Sequence, residues 1–460
     1  MLVPDRKQQA PRSLRLTVAI AVWLRLAPAF GLDGLTLPQA PVPYEIGGQT
    51  TVVWQHLPPF HSRYEGPHSL LSRTDDAVSH SYTLYAGIRL QPWLEVYVNP
   101  EMIRGSGVGG GFGLAGYTNG EVIRNPSVGQ DPYLGRAFVR ATIPLGDATE
   151  PIDTGLNTIA GTRPLHRLTV TAGILGVTDI FDTNRYANNT RLQFMNWALL
   201  NNVAWDFAAD TRGYTRGAAI EWTNGDWAAR LGTFQMPTVA NGAKLDGDVP
   251  NSHGDQVEVE AHPTLLPARP LIIRVLAYEN RARMGNYREA VALARGSGAP
   301  PRIERTRSRD AVKYGLGLNI EQPLDASGDT GLFARLGWND GATESFAFTE
   351  AERTATIGAQ VGGALWQRAT DALGIAVAVN GLSAAHADYL AAGGIGFALG
   401  DGALHYAPET IFESYYAFAL LSGVTLTADY QLIGHPGYNR DRGPVSVVSL
   451  RVHLEAFASQ

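Results

Sequence analysis

Residues 409–457 read ETIFESYYAFALLSGVTLTADYQLIGHPGYNRDRGPVSVVSLRVHLEAF, and this stretch decides the fold class. Apolar and polar residues alternate along it with a period of two, as in Val424, Leu426 and Ala428, which predicts strands rather than helices. The strands run about ten residues, whereas roughly five or six is usual in a soluble sheet, and a tilted strand needs about ten to cross a bilayer. The stretch therefore predicts membrane-spanning β-strands.

The same alternation recurs through the rest of the chain. Further candidate strands are 44–56, 82–90, 94–99, 136–143, 168–174, 215–222, 227–234, 256–262, 271–280, 313–321, 332–339, 354–365, 373–380 and 394–399. Most are separated by turns containing Gly, Asn, Asp or Pro, with no helical pattern between them. We therefore predict an all-β fold: one transmembrane antiparallel barrel of about 16 strands (16 to 18) over residues 44–457, with long extracellular loops and short periplasmic turns.

The composition permits both a soluble protein and a barrel. The chain has 460 residues, 45% of them hydrophobic, a net charge of −6 and no cysteine. A barrel can have such a composition because every second strand residue faces a polar lumen. The lack of cysteine excludes a disulfide scaffold and a thiolate metal site or nucleophile, and the weak negative charge argues against nucleic-acid binding.

The first residues have the features of an export signal. Basic residues precede an apolar run at 16–24, and Ala27-Pro28-Ala29 supplies a small-residue cleavage site, so we predict a signal peptide over 1–29 and a linker over 30–43. A short helix is the alternative for the first segment. No later stretch approaches the roughly twenty apolar residues of a membrane helix. An exported chain of this kind is either a barrel or a soluble secreted β-protein.

Seven motifs occur along the chain: ADYQLIGHPGYN at 428–439, LRVHLE at 450–455, GGQTTVVWQ at 47–55, YEGPHSL at 64–70, GVTDIFDTNRYA at 176–187, QFMNWAL at 193–199 and WDFAAD at 205–210. Together they resemble the carbohydrate-selective porin (OprB) family of Gram-negative outer membranes. In one departure, the family's last strand usually ends in Phe directly after Leu-Glu, whereas this chain inserts Ala456 before Phe457. Recognition of that strand by the barrel-assembly machinery is expected to be weaker as a result.

The resemblance implies an outer-membrane porin for passive diffusion of small hydrophilic solutes, with mono- or oligosaccharides preferred. It implies no enzymatic activity, no cofactor, a lipid and lipopolysaccharide surrounding, and a monomer or a trimer. The alternatives are a general channel or one for other solutes, an outer-membrane enzyme, and a soluble secreted protein. No G-x-S-x-G or H-E-x-x-H motif occurs, and the G-x-G-x-x-G match at 111–116 lacks the helix that a nucleotide site requires.

The strand alternation also identifies candidate pore-lining residues. The charged and aromatic side chains share one parity, opposite to the apolar residues; they are Tyr85, Arg89, Glu95, Tyr97, Arg136, Phe138 and Arg140. Sugars combine hydroxyl groups with apolar ring faces, so a pore that prefers them needs aromatic surfaces beside hydrogen-bonding groups. We therefore expect these side chains to face the lumen.

Residues 178–211 form the longest stretch without alternation, rich in Asn, Asp and aromatics. It is too long for a tight turn and too apolar to extend into water, so we predict that it folds into the pore. Its expected lining residues are Asp182, Asn184, Arg185, Asn196 and Asp206, with Trp197 and Trp205 as flat surfaces. An extracellular lid or a contact with a neighbouring subunit is the alternative. The spacing of Asp179, Asp182 and Asn184 could suit calcium, but the rest of a calcium loop is missing, so turns or helix caps are expected and no metal site.

Overall fold

The computed structural model describes residues 43–125, 128–266 and 269–459. The predicted signal peptide and all but the last residue of the predicted linker lie outside this range. Among the described residues, no helix combines the length and the apolarity that crossing a membrane requires.

Sixteen antiparallel strands close into one barrel, as predicted. In chain order the strands are β1 (Tyr44–Leu57), β2 (Asp75–Gln91), β3 (Leu94–Gly105), β4 (Tyr133–Pro144), β5 (Thr149–Ile152), β6 (Gly161–Pro164), β7 (Arg167–Leu175), β8 (Thr215–Thr223), β9 (Trp227–Gln235), β10 (His253–Ala261), β11 (Ile272–Met284), β12 (Ser308–Pro323), β13 (Gly331–Asn339), β14 (Arg353–Gly362), β15 (Ala372–Gly381), β16 (Glu409–Leu421), β17 (Val424–Gly434) and β18 (Val445–Ser459). Of these strands, β5 and β6 form a separate hairpin and the other sixteen form the barrel. Strand β1 closes the barrel against β18, with Val52 opposite Val452.

Within the part of the chain that the structure describes, three α-helices lie in the long loops: α1 (Trp197–Leu200), α2 (Tyr287–Ala294) and α3 (Ala384–Ala391). Each is preceded by a residue whose side chain accepts a hydrogen bond from a backbone N–H of the first turn. These residues are Asn196, Asn286 and Ser383. Asn and Ser are preferred at this position because they satisfy amides that the helix leaves unbonded.

The alternation of side chains gives the barrel an apolar outside and a polar inside. In β18, Val448 and Leu450 face outward and are 44% and 47% exposed, whereas Ser449 and Arg451 face inward and are fully buried. The outer wall suits lipid over much of its height, because aliphatic side chains such as Leu316, Leu336 and Val377 are exposed on strand after strand. Strands this long and this patterned span a membrane.

The two rims of the barrel differ in the length of their connections. Strands β2 and β3 are joined by two residues, and so are β16 and β17, where Gly423 has a φ of +73° and a Cβ would fall 2.2 Å from the Glu455 carbonyl. The chain enters β1 and leaves β18 on this same rim, which we take as periplasmic because short turns face that side in such barrels. One connection there, 145–166, is long and carries β5 and β6.

One predicted strand is wrong. Residues 394–399 lie in the loop between β15 and β16 rather than in the barrel wall. The amides of Ala398 and Leu399 donate to the buried carboxylate of Glu350, at 2.7 Å each, instead of to a strand partner. The apolar side chain of Leu399 packs among other loop residues. Its burial in this loop cluster, rather than in a strand, explains the apolar pattern on which the prediction was based.

The start of β2 was predicted seven residues too late. The strand begins at Asp75 rather than at residue 82. Here the inward residues Ser79 and Ser81 and the outward His80 are all polar, so this part of the strand has no apolar alternation to detect.

Candidate solute pathway through the barrel

A cavity of 800 Å³ lies inside the barrel, and its lining residues extend from the extracellular loops to the periplasmic end of the wall. Asn241 and Phe348 line it in the extracellular loops, and Glu455 and Phe457 line it near the periplasmic end of β18. The cavity therefore marks a candidate route along the β2, β4 and β18 side of the lumen.

Two ion pairs face this cavity. The Arg136 guanidinium donates to both carboxylate oxygens of Asp179, at 2.7 Å and 2.6 Å. Arg191 pairs with Glu121 at 3.2 Å and donates to the Tyr85 hydroxyl at 2.7 Å. Paired guanidinium and carboxylate groups present both hydrogen-bond donors and acceptors to a passing solute.

The second pair remains charged despite its enclosure. Burial disfavours the charge on both groups, but their attraction outweighs it, so the pKa of Glu121 lies below its ordinary value and the pKa of Arg191 lies above. Hydroxyl groups of Ser81 and Thr190 also donate to Glu121, at 2.5 Å and 2.6 Å. A carboxylate held in this way stays ionised at neutral pH.

Aromatic rings also line the cavity. Trp197 stacks on Phe348 with ring centroids 5.2 Å apart, and Phe207 contacts the same ring at 4.5 Å. The Trp197 indole N–H donates to the Asn119 carbonyl at 3.0 Å, which holds its ring in place. The route thus combines flat apolar surfaces with fixed charges.

The segment 178–211 connects β7 to β8 and contacts inward-facing side chains of distant strands. Asp182 pairs with Arg335 of β13 at 3.1 Å, and Asp206 pairs with Lys313 of β12 at 3.0 Å. Asn196 donates to Gln431 of β17 at 2.9 Å. Because these partners come from the inner faces of three separate strands, the segment is fastened to the inner wall of the barrel at several places.

The five polar residues predicted for this segment contact the wall rather than the cavity. Asp182, Asn184, Asn196 and Asp206 are buried, and Asn184 donates to Asn319 at 2.8 Å. Arg185 is exposed. Its guanidinium lies close to Gly328, in the turn between β12 and β13. The segment turns other residues toward the cavity, among them Arg191 and Trp197, whereas Asp182 and Asp206 fasten it to the wall.

The residues predicted from strand parity all lie on the inner face, in three settings. Tyr85, Arg136, Phe138 and Arg140 line the cavity; Arg89 and Glu95 line a smaller pocket of 270 Å³, which Arg140 also borders; Tyr97 is fully buried against Phe138. Arg191 and Glu121 were missed, since both lie in loops where no periodicity reveals which way a side chain points.

Among the described residues, no group of three or more acidic or histidine side chains could hold a metal ion. The three residues with calcium-like spacing do not converge. Asp179 pairs with Arg136, Asp182 with Arg335, and Asn184 with Asn319.

A closed sixteen-stranded barrel with an apolar outer wall and a polar internal cavity defines an outer-membrane channel. The sequence matches the family described as "Carbohydrate-selective porin, OprB family" over residues 75–455, and the chain belongs to this family. It is therefore a porin of the Gram-negative outer membrane and not an enzyme.

Solved structures resemble the chain to different degrees. The high-pH structure of Pseudomonas putida OprB aligns with a TM-score of 0.66 at 16% identity, covering 90% of this chain and 94% of that one. Salmonella typhi OmpF in complex with daunomycin aligns with a TM-score of 0.47 at 9% identity, covering 89% and 97%. No curated protein sequence matches the chain.

Proposed function

We propose that the 800 Å³ cavity is the route by which mono- and oligosaccharides diffuse passively into the periplasm. The observation that carries the proposal is the arrangement of its lining, where two ion pairs occur together with stacked aromatic rings. A sugar can hydrogen-bond through its hydroxyls to fixed charges while its C–H face rests on an aromatic ring. The cavity volume lies within the roughly 300–1,000 Å³ typical of small-molecule sites.

The residues proposed to contact the sugar are Arg136, Asp179, Arg191, Glu121 and Trp197. Each ion pair offers donors and acceptors at fixed positions, so little reorganisation is needed as the solute passes. The paired charges also cancel locally, which favours a neutral, hydroxyl-rich solute over a free ion. A general channel for small solutes is the alternative.

Permeation assays on purified protein separate the two. In liposome-swelling measurements we expect a hexose to enter faster than an amino acid of similar size. The matched variants Arg136→Ala and Arg216→Ala test the lining, because Arg216 is an exposed residue of β8 on the outer parity. Loss of the sugar preference in the first variant alone supports the proposal; equal rates for sugar and amino acid in the unaltered protein refute it.

We extend the proposal to the membrane partners. Phe457 lies on the inward parity of β18 and stacks on Tyr85 with centroids 5.5 Å apart, so Ala456 takes the outward position before the end of the strand. We expect Ala456→Phe to speed assembly by the barrel-assembly machinery, measured as the rate at which heat-modifiable protein forms.

The exposed Arg302 and Arg309 are proposed to meet lipopolysaccharide phosphates. Whether the barrel acts as a monomer or a trimer is measurable as the mass of its detergent complex.

A further inference from the structure

The long connection on the periplasmic rim enters the barrel. Strands β5 and β6 pair over four residues, with Ile152 opposite Gly161, and residues 153–160 form the loop between them. Within this loop Asn157 and Ile159 are buried, although loops on this rim of a porin are expected to be short and exposed.

Three inward-facing strand residues hold the backbone of this loop. Arg89 donates to the carbonyls of Ile159 and Ala160, at 2.8 Å and 3.2 Å, and Arg140 donates to the carbonyl of Asn157 at 2.9 Å. Glu45 accepts from the Thr158 amide at 3.0 Å. These contacts come from β2, β4 and β1, so the loop is fastened to the wall by charge-assisted hydrogen bonds at successive residues.

Apolar packing and the base of the hairpin reinforce these contacts. Ile159 is fully buried in a cluster that includes Tyr97 and Phe138 on the barrel wall. At the base, Arg163 donates to Glu150 at 2.7 Å, and Arg167 of β7 donates to the carbonyl of Pro164 at 2.8 Å. The loop is therefore held inside the lumen at its tip and at its base.

The loop divides the periplasmic half of the lumen. The 800 Å³ cavity lies on one side of it and the 270 Å³ pocket on the other, and Thr158 borders both. On the cavity side, residues 154–158 form part of the lining together with Glu455 and Phe457. A solute that follows the cavity toward the periplasm must pass between this loop and the end of β18.

We propose that residues 153–160 form a second restriction, at the periplasmic exit, which limits the size of the solute that passes. This inference rests on the proposed function, because it takes the cavity as the solute route. Arg89 and Arg140 act here as positioning residues: they hold the loop across the exit. We place the first restriction where Asp179 and Arg191 of the 178–211 segment meet Arg136 and Glu121.

Shortening the hairpin tests the proposal. Because Ile152 lies opposite Gly161, replacing residues 153–160 by Asn-Gly would join β5 and β6 through a two-residue turn. If two restrictions of similar width act in series, removing one raises single-channel conductance about twofold. The largest polyethylene glycol that enters from the periplasmic side should increase, while the limit from the extracellular side should stay the same.

A cysteine reagent provides a test on the full-length chain. The protein has no cysteine, so Leu156→Cys would introduce the sole thiol, on a side chain that lines the exit and is exposed. A bulky thiol reagent added on the periplasmic side should lower conductance by about half if it makes the resistance of the exit about three times larger, because the combined resistance of two equal restrictions in series then doubles. Asp147→Cys is the matched control, since Asp147 is exposed in the same connection but does not border the cavity.

The outcomes separate this proposal from the proposed function. If the unaltered protein passes sugars, yet the shortened hairpin conducts like it and modified Leu156→Cys is not blocked, the periplasmic restriction is refuted alone. If the unaltered protein passes no sugar at all, the proposed function fails first. Should the shortened variant not fold, as judged by heat-modifiable migration, the cysteine experiment decides.

Discussion

The carboxylate of Asp206 is the main fastening point between the 178–211 segment and the loop 340–352, and its removal should loosen both. Asp206 is buried, pairs with Lys313 at 3.0 Å, and accepts from the amides of Phe346, Ala347 and Phe348, at 2.8, 2.7 and 3.2 Å. In Asp206→Ala the fully buried Lys313 ammonium loses the carboxylate with which it pairs. Breaking a buried pair from one side costs about 3–5 kcal/mol.

The cost should appear first as local opening. Phe348 stacks on Trp197 along the cavity, so freeing its amide should also disturb the lining. The substitution should lower the free energy needed to open this loop by about 3 kcal/mol or more. Because every 1.4 kcal/mol changes the opening equilibrium constant tenfold, we expect amide exchange in 340–352 to quicken by a factor of about 100 or more. Hydrogen exchange with mass spectrometry, on protein in detergent, measures this directly.

A double substitution serves as the control. In Asp206→Leu with Lys313→Met no buried charge is left without a partner, so part of the lost stability should return. Amide exchange in 340–352 that is unchanged in Asp206→Ala would refute the reasoning, because it would mean that the carboxylate does not hold this loop.

Three further predictions concern charge, pH and the periplasmic turns. Removing both positive charges in Arg89→Ala with Arg140→Ala should shift ion selectivity toward cations, measured as a reversal potential in a salt gradient; unaltered selectivity in an assembled barrel would contradict the inward parity. Burial raises the pKa of Glu121, but the attraction of Arg191 lowers it by more. The ionised Glu121 carboxylate therefore stabilises the fold at pH values above its unfolded pKa near 4.5, and this stabilisation is lost as the pH falls through the lower folded pKa. The melting temperature should therefore fall more steeply below pH 4.5 in the unaltered protein than in Glu121→Gln, and parallel profiles would contradict this. Gly423→Ala should destabilise the barrel by about 1–3 kcal/mol, because an alanine is strained at a φ of +73°; unchanged thermal unfolding would show that the turn can rearrange.

Much of the barrel follows from local sequence, because the membrane imposes a simple rule. A strand residue meets either lipid or the lumen, so the parity of Leu84 and Arg89 follows from their chemistry. Sixteen strands and the inner face were predictable on this basis. The rule weakens where both faces are polar, as around His80 at the start of β2, and it misleads where a loop buries apolar residues, as at Leu399.

The interior of the barrel was less predictable, since it depends on contacts between residues far apart in the chain. Asp182 and Asp206 had the right chemistry to face a solute, but their orientation is decided by Arg335 and Lys313 on distant strands. The loop 153–160 gave no signal at all. Its hydrogen bonds to the wall use backbone atoms, so neither composition nor periodicity marks them.

Liposome swelling with the purified, folded protein tests the central claim most directly. Proteoliposomes diluted into an isotonic hexose solution should swell faster than in an isotonic amino acid of similar size, and Arg136→Ala should reduce that difference. Equal swelling in both solutes, from protein with heat-modifiable migration, would contradict a sugar-preferring route through this cavity.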